Sequence, residues 1–428
     1  MISMQKINYP SRGEWEALTQ RKTLDVSGLF DTVRTVLNDV RTEGDQAVRR
    51  YSEKFDKVAP ASLLVSEEEI AEAAQLVSDD LKAAIREAHK NITTFHQSEL
   101  FTGKKIETTP GVVCWQKAVA IEKVGLYIPG GTAPLFSTVL MLAIPAKLAG
   151  CKEIILCSPP DKNGKLHPAI IYAATVAGVH KIFKIGGVQA IAAMTYSTES
   201  VPKVYKIFGP GNQYVTAAKQ LVSLKDVAID MPAGPSEVEI LADESANPAF
   251  IASDFLSQAE HGVDSQSILV TDSEALAGQV EQAVLEQLEA LPRKEITRQA
   301  LENSRIIVVR NKQEMIDFSN LYAPEHLIIQ TTDYHALADR VVNAGSVFLG
   351  AYTPESAGDY ASGTNHTLPT NGYARAYSGV NIDSFIKKIT FQEITAEGLE
   401  RLGPTIRTMA ENESLQAHSN AVKIRTNK

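Results

Sequence analysis

Four of the nine histidines stand in contexts that could do chemistry. Gln258-Ala259-Glu260-His261 closes a helical pattern that begins near Pro248. Spacing i, i+3 puts Gln258 and His261 on one face, where an amide oxygen and an imidazole could both meet a borderline metal such as zinc. Glutamine is a rare zinc ligand, and a histidine answering the helix dipole is the plainer reading. Pro324-Glu325-His326-Leu327 sets an acid beside an imidazole in a loop just ahead of an apolar strand, a pairing suited to proton transfer. A solvated Glu-His turn would look the same. Ser356-Ala357-Gly358-Asp359-Tyr360 and Thr364-Asn365-His366 form a small-residue polar loop, which leaves binding or plain surface. Glu413 and His418 lie in a helical stretch near the C-terminus, where a polar surface is the default. Together Gln258, His261, Asp359 and His418 offer an N/O ligand set without cysteine, fit for zinc or manganese. His89, His96, His167, His180 and His335 read as structural or exposed.

A thiol is the rival nucleophile for aldehyde oxidation. Cys151 and Cys157 bracket a strand-like run, and Cys114 precedes Trp115 with no base nearby. All three read as small core residues. They are too few for a disulfide framework or a thiolate zinc site, and a reducing compartment fits them.

Glycine-rich segments follow several strands: Tyr127-Ile128-Pro129-Gly130-Gly131, Ile185-Gly186-Gly187-Val188-Gln189 and Phe208-Gly209-Pro210-Gly211-Asn212. Loops at the carboxyl ends of parallel strands bind ligands, and the next helix turns its N–H groups to an anion. Glycines that merely turn corners give the same pattern. Neither G-x-G-x-x-G after a strand nor G-x-x-x-x-G-K-[ST] occurs, so a regular Rossmann dehydrogenase or P-loop NTPase is disfavoured.

The elements that must position these residues alternate. The first hundred residues read as helices, with capping boxes or starts at Ser66/Glu69 and Ser78. From about residue 119, short apolar runs alternate with amphipathic stretches: Val124–Ile128, Glu153–Cys157, Lys181–Ile185, Val204–Phe208, Val227–Ile229 and Val238–Leu241, then Ser267–Val270, Arg305–Val309, Leu327–Ile329 and Ser346–Leu349. Such alternation implies parallel βαβ units, and so many strands would overfill one sheet. Two α/β domains are expected, with helix again after Ile386.

The 428 residues carry 42 basic and 51 acidic side chains, a net charge of −9, with no basic stripe to hold nucleic acid. Hydrophobic residues at 44% and charged residues at 22% fit a soluble globular chain and exclude disorder over most of it. Leu135–Ala149 is the most apolar run; it is too short to span a bilayer and carries Pro145 and Lys147, so it reads as a buried helix. No targeting segment stands at the N-terminus, and a cytoplasmic protein is expected.

Several of these segments resemble one family. Ile229-Asp230-Met231-Pro232-Ala233-Gly234-Pro235-Ser236-Glu237, Val124–Gly131, Phe208–Asn212, Gln258–Gly262, Pro324–Leu327 and the Gly358–His366 segment are similar, in order and spacing, to the motifs of histidinol dehydrogenases. The resemblance covers essentially the whole chain. It implies an α/β fold of two incomplete Rossmann-like domains, aldehyde dehydrogenase-like, one inserted in the other, with helical N- and C-terminal segments. The implied parts are a helical extension (1–24), a larger α/β domain (25–126 and 237–380), a smaller NAD-contacting domain (127–236) and a C-terminal segment (381–428) crossing to a partner subunit. It implies two successive NAD-linked oxidations of L-histidinol, through L-histidinal to L-histidine, with one zinc ion per subunit and a homodimer with shared active sites. By the same resemblance Gln258, His261, Asp359 and His418 hold the zinc, His418 and Glu413 coming from the partner subunit. Ser236, Glu325, His326, His366 and Glu413 touch substrate along with the zinc ligands, and Tyr127, Gln189 and Asn212 touch NAD. His326 is then the general base and Glu325 the residue that activates water. A zinc hydrolase using Glu325 as base, or a binding protein without turnover, is the competing expectation.

Overall fold

The computed structural model describes residues 4–21, 26–58, 60–130, 133–231 and 234–426. Gly131 of the first glycine motif, Pro232 and Ala233 of the Ile229–Glu237 motif, and the expected 24/25 boundary lie outside the described residues. Fourteen strands occur among the described residues: β1 (Gln5–Asn8), β2 (Ile106–Thr109), β3 (Val112–Ala120), β4 (Lys123–Tyr127), β5 (Glu153–Ser158), β6 (Lys181–Lys184), β7 (Lys206–Phe208), β8 (Ala228–Ile229), β9 (Glu237–Ala242), β10 (Gln266–Thr271), β11 (Arg305–Val308), β12 (His326–Gln330), β13 (Ser346–Leu349) and β14 (Ile386–Ile394).

Two parallel sheets carry the fold. One has five strands in the order β6-β5-β4-β7-β8. The other has six, β1-β11-β10-β9-β12-β13. The chain is therefore mixed α/β, with helices between the strands and helices near both ends. Each sheet is buried on both faces, as parallel sheets require. Along β5, Ile154 and Leu156 enter one core cluster while Ile155 and Cys157 enter another. The Leu135–Ala149 run forms the helix Phe136–Ala149, buried from Ser137 through Ala146, as its all-apolar sequence requires. Among the described residues no helix is long and apolar enough to cross a membrane.

Four strands depart from the expected pattern. β1 falls in a stretch read as helix, yet it extends the six-stranded sheet by pairing parallel with β11. The segment after Ile386 begins as strand β14, antiparallel to β3, with β2 on the other side of β3. Helices Ala396–Asn412 and Gln416–Thr426 follow and pack on each other. Ile386, Ile389 and Ile394 recur at spacings a helix would also use, and β14's partner lies far away in sequence, so local periodicity misleads there.

One loop shows how tightly the five-stranded sheet is pinned. Gly209, just past β7, has φ +123°, and a Cβ there would lie 2.0 Å from the Tyr127 carbonyl oxygen. Buried Lys219 and Asp230 pair at 2.5 Å; Lys219 Nζ donates to the Gly209 carbonyl at 2.8 Å, and Gly209 N donates to Asp230 Oδ2 at 2.8 Å. Gly209→Ala therefore costs about 1–3 kcal/mol in backbone strain alone, before the clash. A denaturant midpoint equal to that of the native chain would refute this.

Candidate active site

The carboxyl ends of β4, β5, β6 and β7 open on a cleft of about 790 Å³ lined by Tyr127, Ser158, Gln189 and Asn212, with Asp56 beside them. The three residues expected to touch a dinucleotide thus share one cavity. The buried Tyr127 hydroxyl accepts from Gly187 N at 3.0 Å, so it takes a helix N-terminal N–H that could otherwise face a phosphate. Burial pushes that hydroxyl up to about 12, and it stays neutral. Gln189 is fully buried; its Nε2 donates to Asp56 Oδ2 at 3.1 Å and its Oε1 has no partner. Burial lifts the Asp56 carboxyl to about 6. Asn212 caps the helix Gln213–Ser223, its Oδ1 accepting from Tyr214 N and Val215 N at 3.1 Å each.

On the six-stranded sheet the candidate residues gather at the amino ends of the central strands. Ser236 precedes β9, and Glu325 precedes β12, whose first residue is His326; the expected loop position of His326 is corrected to the strand itself. Register sets His326 against Val238 on one side and Ser346 on the other. Ala323, in the left-handed region at φ 56°, ends the helix Lys312–Tyr322 and turns the chain into Pro324. The Arg21 guanidinium fixes that corner. It lies 3.6 Å from the Tyr322 ring centroid, binds both Glu237 oxygens at 2.8 and 3.0 Å, and donates to the Ala323 carbonyl at 3.3 Å. Glu237 N in turn donates to Glu325 Oε2 at 2.8 Å, which orients the Glu325 carboxylate. Gly345 lies close behind, where a Cβ would sit 2.5 Å from the Glu325 carbonyl oxygen.

His326 is buried among carboxylates. Its Nδ1 lies 3.3 Å from the Glu237 carbonyl oxygen, 3.6 Å from Glu325 Oε2 and 3.9 Å from Glu355 Oε1. The carbonyl can only accept, so in the neutral ring the proton sits on Nδ1 and the Nε2 lone pair is open. Nε2 has no hydrogen-bond partner and stands 3.5 Å from Asp359 Oδ1. Burial works against a charged imidazole here, but Glu325, Glu355 and Asp359 outweigh it, and His326 titrates well above the usual histidine range. Burial likewise works against the Asp359 carboxylate, and His326, His366 and His261 around it hold it ionised. His366 bridges the two sheets' surroundings, with Nδ1 2.9 Å from the Asp359 carbonyl and Nε2 3.3 Å from Thr138 Oγ1.

A metal fits these residues. His261, Glu355 and Asp359 offer donor atoms within 4.8 Å of one another, and His261 Nε2 lies 4.0 Å from Asp359 Oδ2. Gln258 is fully buried with neither amide atom hydrogen-bonded, as are both oxygens of buried Glu355. Buried polar groups are almost always partnered, so orphaned Glu355, grouped with an imidazole and a carboxylate, marks a place for a cation, and orphaned Gln258 lies three residues before His261. Glu413 and His418 do not join this group within one chain; both are exposed, Glu413 at the end of the helix Ala396–Asn412 and His418 in the next helix. The thiols stay out of it. Burial pushes Cys151 up to about 12 and Cys157 higher still, while Cys114 sits in β3.

Three residues here escaped the sequence reading. Glu355 is four residues before Asp359 on the short helix Glu355–Tyr360, a spacing that could have paired them. Arg21 and Glu237 carry no local signal, because their partners come from distant segments.

Comparison with known proteins matches this chain to one family. A family model described as histidinol dehydrogenase matches residues 19–426. A histidinol dehydrogenase from Bacteroides thetaiotaomicron is 67% identical over 424 residues, covering 99% of each chain. One from Escherichia coli K12 is 54% identical over 398 residues, covering 92% of this chain and 91% of that one. The crystal structure of histidinol dehydrogenase from Elizabethkingia anophelis superposes with a TM-score of 0.97 at 56% identity, covering 99% of this chain and 98% of that one.

Proposed function

The chain belongs to the histidinol dehydrogenase family, and from that premise we propose that it oxidises L-histidinol to L-histidine through L-histidinal, at the end of histidine biosynthesis. The observation that carries the reading is the donor cluster of His261, Glu355 and Asp359 next to the His326–Glu325 pair, with Gln258 buried and unpartnered three residues before His261. Gln258, His261 and Asp359 hold zinc, with His418 of a second subunit completing the set. Zinc there supplies a fixed positive centre that orients the imidazole and amine of the substrate. NAD would supply the hydride acceptor for each oxidation, held by Tyr127, Gln189 and Asn212, which line one cleft.

The residues of the chain then divide the proton work. A cation held by Asp359 and its neighbours would offset the carboxylates that favour a charged His326, and the neutral Nε2 then takes the hydroxyl proton as hydride leaves the carbinol carbon for NAD. Glu325, held by Glu237 N, takes a proton from the water that adds to the aldehyde. His326 acts again on the resulting hydrate as the second hydride leaves. Each transfer of this kind contributes about 10²–10⁴-fold. Ser236, His366 and the partner subunit's Glu413 contact the substrate. The three cysteines are unpaired, which suits a reducing cytoplasm.

Purified protein with zinc, NAD and L-histidinol gives two NADH per histidinol consumed. No NADH from zinc-loaded protein overturns the reading and favours hydrolysis.

Dimerisation through the C-terminal helices rests on their form. They hang from the β2-β3-β14 sheet, with Met409, Leu415 and Ile424 exposed. If sites are shared, His261→Ala and His418→Ala chains are each inactive, while mixed dimers regain activity because one of their two sites is intact. Mixtures that stay inactive after subunit exchange would show that both histidines come from one chain.

A further inference from the structure

Glutamine makes an ambiguous metal ligand, because its oxygen and nitrogen are nearly the same shape. Only the oxygen has a lone pair for the ion, so something must tell the two ends apart. Two facts place a device beside Gln258. Asp254, one helical turn earlier on Pro248–Ala259, accepts the backbone N–H of Glu355 and is also bonded by Gln330 Nε2 at 3.1 Å. That contact ties the helix of Gln258 to the first residue of Glu355–Tyr360, on the face that Gln258 shares. Both amide atoms of Gln258 and both carboxyl oxygens of Glu355 are buried there without any hydrogen bond.

We infer that Glu355 accepts the Gln258 Nε2–H when the metal is bound and so turns Oε1 toward the ion. Glu355 is a positioning residue in this role. It acts through Gln258, while Asp254 and Gln330 hold the helix start that carries it. The role rests on the zinc reading above and extends it to a residue outside the ligand set. Partners of this kind, bonded to a ligand and not to the metal, typically govern 10–100-fold in metal affinity.

Zinc affinity, measured on the native protein and two variants by competition with a chromophoric chelator, tests this. Glu355→Gln retains an acceptor oxygen and binds zinc within about threefold of native. Glu355→Met fills the space without an acceptor and binds 10–100-fold more weakly. Native-like affinity in Glu355→Met overturns the inference. So does a loss in Glu355→Gln as large as in Glu355→Met, because the charged carboxylate would then be a ligand itself. Should Glu355→Met fail to fold, the visible spectrum of Co²⁺-substituted Glu355→Gln decides: bands matching native support positioning, and altered bands put Glu355 on the metal. A native protein that takes up no zinc defeats the zinc reading; native uptake with unaffected Glu355→Met defeats this inference alone.

Discussion

His326→Asn lowers turnover by about 10²–10⁴-fold in both oxidations and leaves zinc content at the native level. Asparagine is shorter and still offers an N–H toward the Glu237 carbonyl, so the start of β12 keeps its hydrogen bond. What disappears is a titratable nitrogen at Nε2, the atom left open beside Asp359. An amide cannot take a proton near neutral pH, and water in the vacated space is a far weaker base. The loss should appear with L-histidinol and, separately, with L-histidinal supplied directly, because the same atom is proposed to serve both steps. Metal analysis alongside steady-state rates separates a chemical defect from a binding one. Near-native turnover in either half-reaction would remove His326 from that half.

His261→Ala costs about 100-fold in zinc affinity and takes activity with it at stoichiometric zinc. Zinc held by four protein ligands is bound by about 10–16 kcal/mol, which is roughly 3 kcal/mol for each ligand. His261 belongs to no core cluster, and its side chain is 44% exposed, so the metal-free variant should melt with the native apoprotein. Chelation of the native chain should abolish NADH formation and added Zn²⁺ should restore it, whereas the variant recovers only at a large zinc excess. Full activity in His261→Ala at stoichiometric zinc would remove His261 from the ligand set.

The strands β4 to β13 were legible because each is an apolar run ending in glycine, proline or a polar cap. β14 was not, because its partner β3 lies far away in sequence, and the β2-β3 hairpin was missed because β2 is short and exposed, with no apolar run to mark it. Site residues divide the same way. Gln258 with His261, and Glu325 with His326, are near neighbours, so their types and spacing could be read. Their burial could not. A Glu-His pair looks solvated in sequence, and it is dry here only because His326 opens a central strand covered on both faces. Glu355 was hidden by the glycine and alanine of Glu355-Ser356-Ala357-Gly358-Asp359, which read as loop yet form one helical turn. For His418, a single chain gives no neighbour to read.

The Tyr127 hydroxyl occupies the Gly187 N–H that a phosphate could have used. If the chain reduces two NAD for each substrate, as proposed above, this bears on residence time. The spent cofactor would then have to depart and a fresh one arrive while a reactive aldehyde waits. Every phosphate contact given up would shorten the stay of the cofactor, and none of those contacts would secure the aldehyde, which the proposed metal site and the imidazoles on the other sheet would retain. Fast exchange on one side and slow release on the other would keep the half-oxidised intermediate from escaping between steps.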